Sequence, residues 1–282
     1  MEKLRSRIVL LKERLIYNIK KPEMRVLPGQ LSFFFLMTLI PLIALIGGLI
    51  SLFDLPYHSI SDVLNSYFPN GTANLLEVIS SKVDLNFNLI IFFASSIVLA
   101  SNGPHSMIIA SNKIYKVEDS GYFRRRAKAL LLTLVIIILL LFLLCIPLFG
   151  DTIFKFIAYF DSTSRIKNFC LLLYKYLKYP LSFVFVYYLI KIIYILSPDK
   201  KIDRRNVTYG ALFTSVSWVL VTQIYSWYVE NFSNYTTFYG GISSILILMT
   251  WLYFISYIFV LGMALNETKY ELSSNIEKGK NN

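Results

Sequence analysis

The stretch Ala129–Gly150, which reads ALLLTLVIIILLLFLLCIPLFG, contains no charged side chain. A helix needs about 20 predominantly apolar residues to cross the hydrocarbon core of a bilayer, so this stretch is long enough to span a membrane. Comparable charge-free windows run from Val26 to Phe53, from Leu85 to Asn112, from Val207 to Val229 and from Gly240 to Asn266. Repeated windows of this length predict an all-α, polytopic membrane protein.

The composition of the whole chain agrees with this fold class. Of 282 residues, 56% are hydrophobic and only 16% are charged, and the mean hydropathy is +0.57. A typical soluble domain carries roughly 25% charged residues. The 28 Lys and Arg residues exceed the 17 Asp and Glu residues, for a net charge of +11. In a membrane protein this excess sets orientation and contacts anionic lipid, so we expect lipid partners and no nucleic acid.

Six transmembrane helices are predicted, at about 30–53, 88–110, 129–150, 179–197, 207–229 and 240–266. The fourth is interrupted by Lys191, whose long stem can bring its ammonium group to the interface. Lys and Arg concentrate before the first span, after the second and fourth, and in the tail, which places both termini in the cytoplasm. The loop at 151–178, which includes Cys170, is then external, as is 54–87 with two short capping helices.

The segments outside this membrane domain, 26–270, have their own patterns. Residues 1–25 carry an apolar stripe between Lys and Arg residues and predict a basic amphipathic helix on the inner leaflet. Residues 271–282 are polar and predict a flexible cytoplasmic tail.

The second predicted span contains Asn102-Gly103-Pro104-His105. Proline lacks a backbone donor and glycine loosens the backbone, so we expect the helix to break there. Such breaks often build substrate sites in transporters, although a kink that only lets helices pack is the alternative. We expect a polar cavity open to the cytoplasm between spans one, two, five and six.

Three consecutive arginines, Arg124, Arg125 and Arg126, follow that span. One interpretation is the ordinary enrichment of basic residues on the cytoplasmic side. The other is capture of an anionic lipid head group or phosphate. We also expect Glu267, at the cytoplasmic boundary, to pair with this cluster.

Residues suited to catalysis or metal binding do not cluster in the sequence. The two His residues, His58 and His105, are predicted on opposite sides of the membrane, and neither Cys145 nor Cys170 belongs to a CxxC motif. Acidic residues are scattered singly among basic ones. We therefore expect no catalytic residues, no metal and no cofactor, and a protein that is not an enzyme.

Several short motifs follow one another along the chain, and they include Pro41, Asn112, Tyr115, Gly210, Gly240, Trp251, Gly262 and Asn266. In their order and spacing, these motifs resemble the YihY/virulence factor BrkB family of bacterial inner-membrane proteins, formerly labelled ribonuclease BN-like. The chain departs from the family pattern at Ala264, where an acidic residue is usual. The resemblance implies six spans, a bacterial inner-membrane location and handling of envelope lipids.

These patterns favour a protein that transports or flips an envelope lipid or another amphiphile. The alternative is a non-transporting scaffold for envelope assembly or serum resistance. Both hypotheses leave the substrate and the oligomeric state open.

Overall fold

The computed structural model describes residues 13, 16, 17, 19–52, 88–118, 120–160, 164–232 and 242–278. Within these ranges the regular structure is helical, with no strand. The helices are α1 (Glu23–Leu52), α2 (Asn88–Ala100), α3 (Asn102–Tyr115), α4 (Tyr122–Phe160), α5 (Ser164–Leu196), α6 (Arg204–Phe232) and α7 (Ser243–Lys278).

Within the described residues, helix covers most of each predicted span, and the second span is divided between α2 and α3. The stretch 151–178 was predicted as a loop, and this is wrong, because α4 continues to Phe160 and α5 begins at Ser164. Cys170 consequently lies in a helix. The external location of the stretch stays a prediction. A search for charge-free windows assigns this stretch to a loop, because it contains scattered Lys and Asp residues. These residues are compatible with a helix, because a charged side chain does not interrupt the hydrogen bonds of the helix backbone.

Both ends of the chain also differ from the predicted boundaries. Helix α1 already begins at Glu23, so the last residues of the predicted amphipathic segment belong to the first long helix. Helix α7 continues to Lys278, well into the predicted tail. Most of 1–25, the capping helices in 54–87 and Gly240 lie outside the described residues.

Helix α7 packs against both α6 and α1 and is the central helix of these contacts. Helix α5 packs against α4 on one side and α6 on the other. The fully buried Phe259 of α7 is the centre of an aromatic cluster. The Phe259 ring centroid lies 4.8 Å from that of Tyr194, 6.2 Å from that of Trp218 and 6.3 Å from that of Phe35. The core therefore joins four helices, α1, α5, α6 and α7, at one level.

The outer faces of the helices are apolar, which is unusual for a protein in water. Helices α6 and α7 are long and apolar enough to cross a membrane over Arg204–Asn231 and Ser243–Glu271, and Pro180–Leu196 is a shorter apolar helix. Large exposed hydrophobic residues on α4, α5 and α6 include Leu131, Leu134, Ile138, Val184, Tyr188, Leu212, Val216, Leu220 and Ile224.

Candidate functional site

The predicted break in the second span is a narrow interruption at Ser101. This residue keeps right-handed dihedral angles, φ −70° and ψ −6°, and separates α2 from α3. Its amide still bonds to the Ile97 carbonyl at 3.0 Å, and its carbonyl accepts from His105 at 2.9 Å. Pro104 is the third residue of α3, a position whose amide has no intrahelical acceptor, so proline costs little there.

The amide of Gly103 finds its acceptor on another helix. It donates to Thr38 Oγ1 of α1 at 2.7 Å, although the residues lie 65 positions apart. A β-carbon at position 103 would stand only 2.7 Å from the same oxygen. Glycine is therefore required by the close approach of α1 and α3, and Thr38 acts as a cap from outside the helix.

Arg126 is the member of the arginine cluster that reaches the interruption. Its Nη1 donates to Asn102 Oδ1 at 2.9 Å, and its Nη2 donates to the Val98 carbonyl at 3.0 Å. The Ser101 hydroxyl bonds to the same carbonyl at 2.6 Å. Both of these Arg126 acceptors are neutral, so these two bonds leave the positive charge of the guanidinium uncompensated. An anion could exchange with them, because guanidinium groups bind carboxylate and phosphate with two parallel bonds.

The other predicted site residues lie around this contact. His105 packs edge-on to the ring of Tyr122 with centroids 6.1 Å apart. Arg124 is exposed and Arg125 is half-buried. Helix α3 packs chiefly on α1, α4 and α7. The third predicted span, in α4, is therefore a principal neighbour of the interruption, where we had expected the fifth span, in α6.

A second polar centre joins the ends of α3, α4 and α5, and sequence reasoning missed its central residue, Asp199. Asn112 donates to Asp199 Oδ2 and accepts from the Asp199 amide, both at 2.8 Å. The Ser120 hydroxyl also donates to Oδ2 at 2.8 Å. Lys128 Nζ binds Oδ1 at 2.7 Å and the carbonyls of Ser197 and Pro198 at 3.0 and 2.8 Å.

We call Asp199, Asn112, Ser120 and Lys128 the clasp. Burial alone would raise the pKa of Asp199, but the hydrogen bonds and charge of its partners outweigh burial and lower it to about 2. The carboxylate therefore stays ionised at neutral pH. The available signal was Asp199 itself, one of two acids (with Asp203) in the short basic connection between the fourth and fifth spans.

A third feature is the close contact of α6 and α7, which we call the glycine seam. The Gly210 amide donates to Asn266 Oδ1 at 2.8 Å. A β-carbon on Gly210 would collide with the Gly262 carbonyl and with Asn266. One on Gly262 would collide with the hydroxyls of Thr214 and Tyr194. Small residues let membrane helices approach closely and bond across the interface.

The hydroxyl of Tyr194 completes the seam. It lies 2.7 Å from Thr214 Oγ1 and donates to the Phe259 carbonyl at 2.8 Å. Four of the predicted motif residues therefore lie in the clasp or in the glycine seam. They are Asn112, Gly210, Gly262 and Asn266.

The remaining described motif residues serve packing. Trp251 is buried and donates to Thr222 Oγ1 at 3.1 Å. Tyr115 is buried against the ring of Tyr270, with centroids 6.4 Å apart. Pro41 lies half-buried within α1.

Glu267, which we expected beside the arginine cluster, lies near a lysine that follows α3. Its carboxylate lies 3.9 Å from Lys116 Nζ. Among the described residues, no three His, Cys, Asp or Glu side chains come together as metal ligands would.

An all-helical bundle with apolar outer faces and polar contacts between its helices is the architecture of an integral membrane protein. The family described as virulence factor BrkB matches residues 15–282. The chain therefore belongs to the virulence factor BrkB family, and the resemblance noted in the sequence is confirmed.

Named relatives agree with this membership. The chain is 28% identical over 242 residues to the ribonuclease-like protein YfkH of Bacillus subtilis, covering 84% of this chain and 87% of that protein. It is 28% identical over 96 residues to a UPF0761 membrane protein of Haemophilus influenzae, covering 34% and 36%. A UPF0761 membrane protein of Glaesserella parasuis is 30% identical over 82 residues, covering 29% of each chain. No solved structure matches the chain.

Proposed function

We propose that this chain is a multi-pass protein of the bacterial inner membrane that moves an envelope lipid or another amphiphile between leaflets. In this proposal it has six spans, both termini are cytoplasmic, and the protein is not an enzyme. Anionic head groups are the partners, and nucleic acid is not.

The observation that carries the proposal is the contact of Arg126 with Asn102 and the Val98 carbonyl. A half-buried guanidinium lies beside an interrupted membrane helix and binds two neutral oxygen atoms. A phosphate head group offers two acceptor oxygen atoms together with a negative charge, and would bind more strongly than either neutral group. The exposed faces of α4 and α6 are apolar, so the acyl chains of the lipid would remain in the bilayer, in contact with these faces, while the head group is bound.

In this mechanism, Asn102, Gly103, Pro104 and His105 shape the head-group site, and Arg126 binds the anion. Arg124 and Arg125 would draw anionic lipid toward it, because basic residues near a membrane surface attract such lipids. Thr38 keeps the amide of Gly103 satisfied throughout, so the interruption persists whether or not a head group is present.

The test uses the purified full chain in vesicles of phosphatidylethanolamine and phosphatidylglycerol. Fluorescent phosphatidylglycerol is followed by chemical bleaching of the outer leaflet. We expect protein-containing vesicles to expose the inner-leaflet probe faster than protein-free vesicles. Arg126→Ala should slow this exchange about tenfold, the equivalent of roughly 1.4 kcal/mol.

Lys201→Ala is the matched control, because it removes one exposed positive charge far in sequence from the interruption. It should leave the exchange rate unchanged. If the wild-type chain gives no exchange above protein-free vesicles, transport is refuted. If Lys201→Ala slows exchange as much as Arg126→Ala, the effect is one of general surface charge and the site is refuted.

The alternative function is a non-transporting scaffold for envelope assembly or serum resistance. The glycine seam favours it, because helices in such close contact move little against each other. Loss of leaflet exchange in vitro, combined with capture of envelope-assembly enzymes by crosslinking in cells, would support this alternative.

A further inference from the structure

Helix α4 begins with two exposed aromatic residues beside the Arg126 contact. Phe123 is 87% exposed, the largest exposed fraction of any large hydrophobic residue that the structure describes. Tyr122 is also exposed, and its ring centroid lies 5.6 Å from that of Phe123. A phenyl ring in this position buries almost no apolar surface against the described helices, which leaves it open to the bilayer.

The two aromatic residues belong to the same turns of α4 as Arg126. Arg126 follows Tyr122 by four residues and Phe123 by three, and side chains at these spacings are neighbours on a helix surface. The Tyr122 ring packs edge-on to that of His105 on α3, with centroids 6.1 Å apart. Arg126 Nη1 binds Asn102 Oδ1 on the same helix at 2.9 Å. The first turns of α4 therefore lie along the interruption in two successive contacts, and Phe123 borders these contacts on the exposed side.

An exposed apolar stripe, which we call the α4 stripe, starts at Phe123 and continues along the helix. Its members share one face at the spacings i, i+4, i+8, i+11 and i+15. They are Phe123, Ala127, Leu131, Leu134 and Ile138, and each is exposed. The α4 stripe is about 22 Å long, because a helix rises about 1.5 Å per residue. It is therefore longer than one leaflet of a hydrocarbon core that is about 30 Å thick.

The combination of this stripe with Arg126 is what makes it more than an ordinary lipid-facing surface. An apolar outer face alone fits any hydrocarbon in the bilayer. A guanidinium alone binds any phosphate or carboxylate. Because Arg126 lies one turn from the start of the α4 stripe, the two together fit a molecule in which a phosphate is joined to a long hydrocarbon chain.

We infer that Arg126 and the α4 stripe form a site for one phospholipid molecule. The phosphate exchanges with Asn102 at the guanidinium, and one acyl chain lies along the α4 stripe. Phe123 is then the residue that selects a lipid over a soluble phosphate, because its ring covers the part of the chain next to the head group. The inference rests on the proposed function, since it uses the same arginine, and it specifies the substrate class as a phosphodiester that carries an acyl chain.

Native mass spectrometry of the purified full chain in a nonionic detergent tests the inference as equilibrium binding. Dioctanoyl phosphatidylglycerol carries both parts of the ligand, glycerol phosphate only the phosphate, and dioctanoylglycerol only the chains. We expect phosphatidylglycerol to bind about tenfold more tightly than either of the others, or more. Equal affinity for glycerol phosphate would overturn the role of the α4 stripe. Equal affinity for dioctanoylglycerol would overturn the role of Arg126.

Phe123→Ser should weaken the binding of phosphatidylglycerol about tenfold, because the ring no longer shields about two methylene groups. Phe123→Leu keeps an apolar side chain and should retain most of the affinity. Phe33→Ser is the matched control, since it removes another exposed phenylalanine, on α1, and should leave the affinity unchanged. The site is refuted if Phe123→Ser binds like the wild type, or if Phe33→Ser weakens binding equally.

This binding experiment and the leaflet-exchange experiment fail separately. Binding that depends on Phe123, without leaflet exchange, would refute transport and keep the phospholipid site. Leaflet exchange by a chain whose binding does not depend on Phe123 would refute the site and keep transport.

Discussion

The side-chain oxygen of Asn266 accepts a hydrogen bond from the backbone amide of Gly210 over 2.8 Å, although the residues lie 56 positions apart. The amide can approach so closely because residue 210 has no β-carbon. The contact sets the distance between α6 and α7, and it makes the stability of the bundle sensitive to a single methyl group.

Gly210→Ala should therefore destabilise the protein, because the added methyl group collides with the Gly262 carbonyl and with Asn266. We expect a loss of about 1–3 kcal/mol or more, measured as thermal unfolding in detergent. Gly29→Ala is the matched control, since a β-carbon there meets nothing within 4 Å. It should be neutral or slightly stabilising. Equal effects of the two substitutions would contradict a specific role for the seam.

Thr38→Val should destabilise the junction of α1 and α3, because the Gly103 amide loses its acceptor while the side-chain shape is retained. An unsatisfied buried amide costs about 1–3 kcal/mol. Thr38→Ser keeps the hydroxyl and should recover most of that stability. Chemical denaturation in detergent measures the difference between the two variants. If valine proves as stable as serine, the hydrogen bond to Gly103 is unimportant.

Asp199→Asn should weaken the clasp at neutral pH. The pKa of Asp199 is lowered to about 2 from its usual 3.8, so its contribution is fully present above the unfolded value and is lost as the pH falls toward 2. The shift corresponds to a contribution on the order of 2 kcal/mol. The stability difference from wild type should therefore be largest at neutral pH and shrink between about pH 4 and 2.

Glu118→Gln is the control for this pH dependence, because Glu118 is an exposed acid in the same connection as Ser120. Its stability curve should follow that of the wild type from pH 7 to about pH 2. A constant difference between Asp199→Asn and wild type across the acid range would show that the carboxylate charge contributes nothing.

The six-span topology predicts where a fused reporter is active. A reporter that works only outside the cytoplasm should give signal after residues 70, 160 or 235. The same reporter should give none after residues 120, 202 or 275, since these positions follow the basic segments. Reversal of any neighbouring pair would require a different number of spans.

Local features of the fold could be predicted from sequence, and contacts between distant residues could not. An interruption near Asn102-Gly103-Pro104 was predictable, because proline and glycine act on their own backbone; the structure has it one residue earlier, at Ser101. Its cap by Thr38 depends on which helix lies beside it, across 65 residues of chain. The pairing of Asn112 with Asp199 spans 87 residues and was equally hidden.

The error at 151–178 has a different origin. Charge-free windows measure where a helix is compatible with lipid, whereas the helix itself ends only where backbone hydrogen bonds end. Helices α4 and α5 extend beyond their apolar stretches to Phe160 and back to Ser164. The predicted spans are therefore shorter than the helices that contain them.

The glycine seam also implies an order of events during biosynthesis. Thr214 and Ser215 on α6 are fully buried in the finished bundle. Thr214 meets Tyr194 of α5, which precedes it in the chain. Gly210, by contrast, bonds to Asn266 of α7, which follows α6 in the chain. Helices that insert separately join afterwards through such polar contacts, so the seam closes only after α7 has also entered the bilayer.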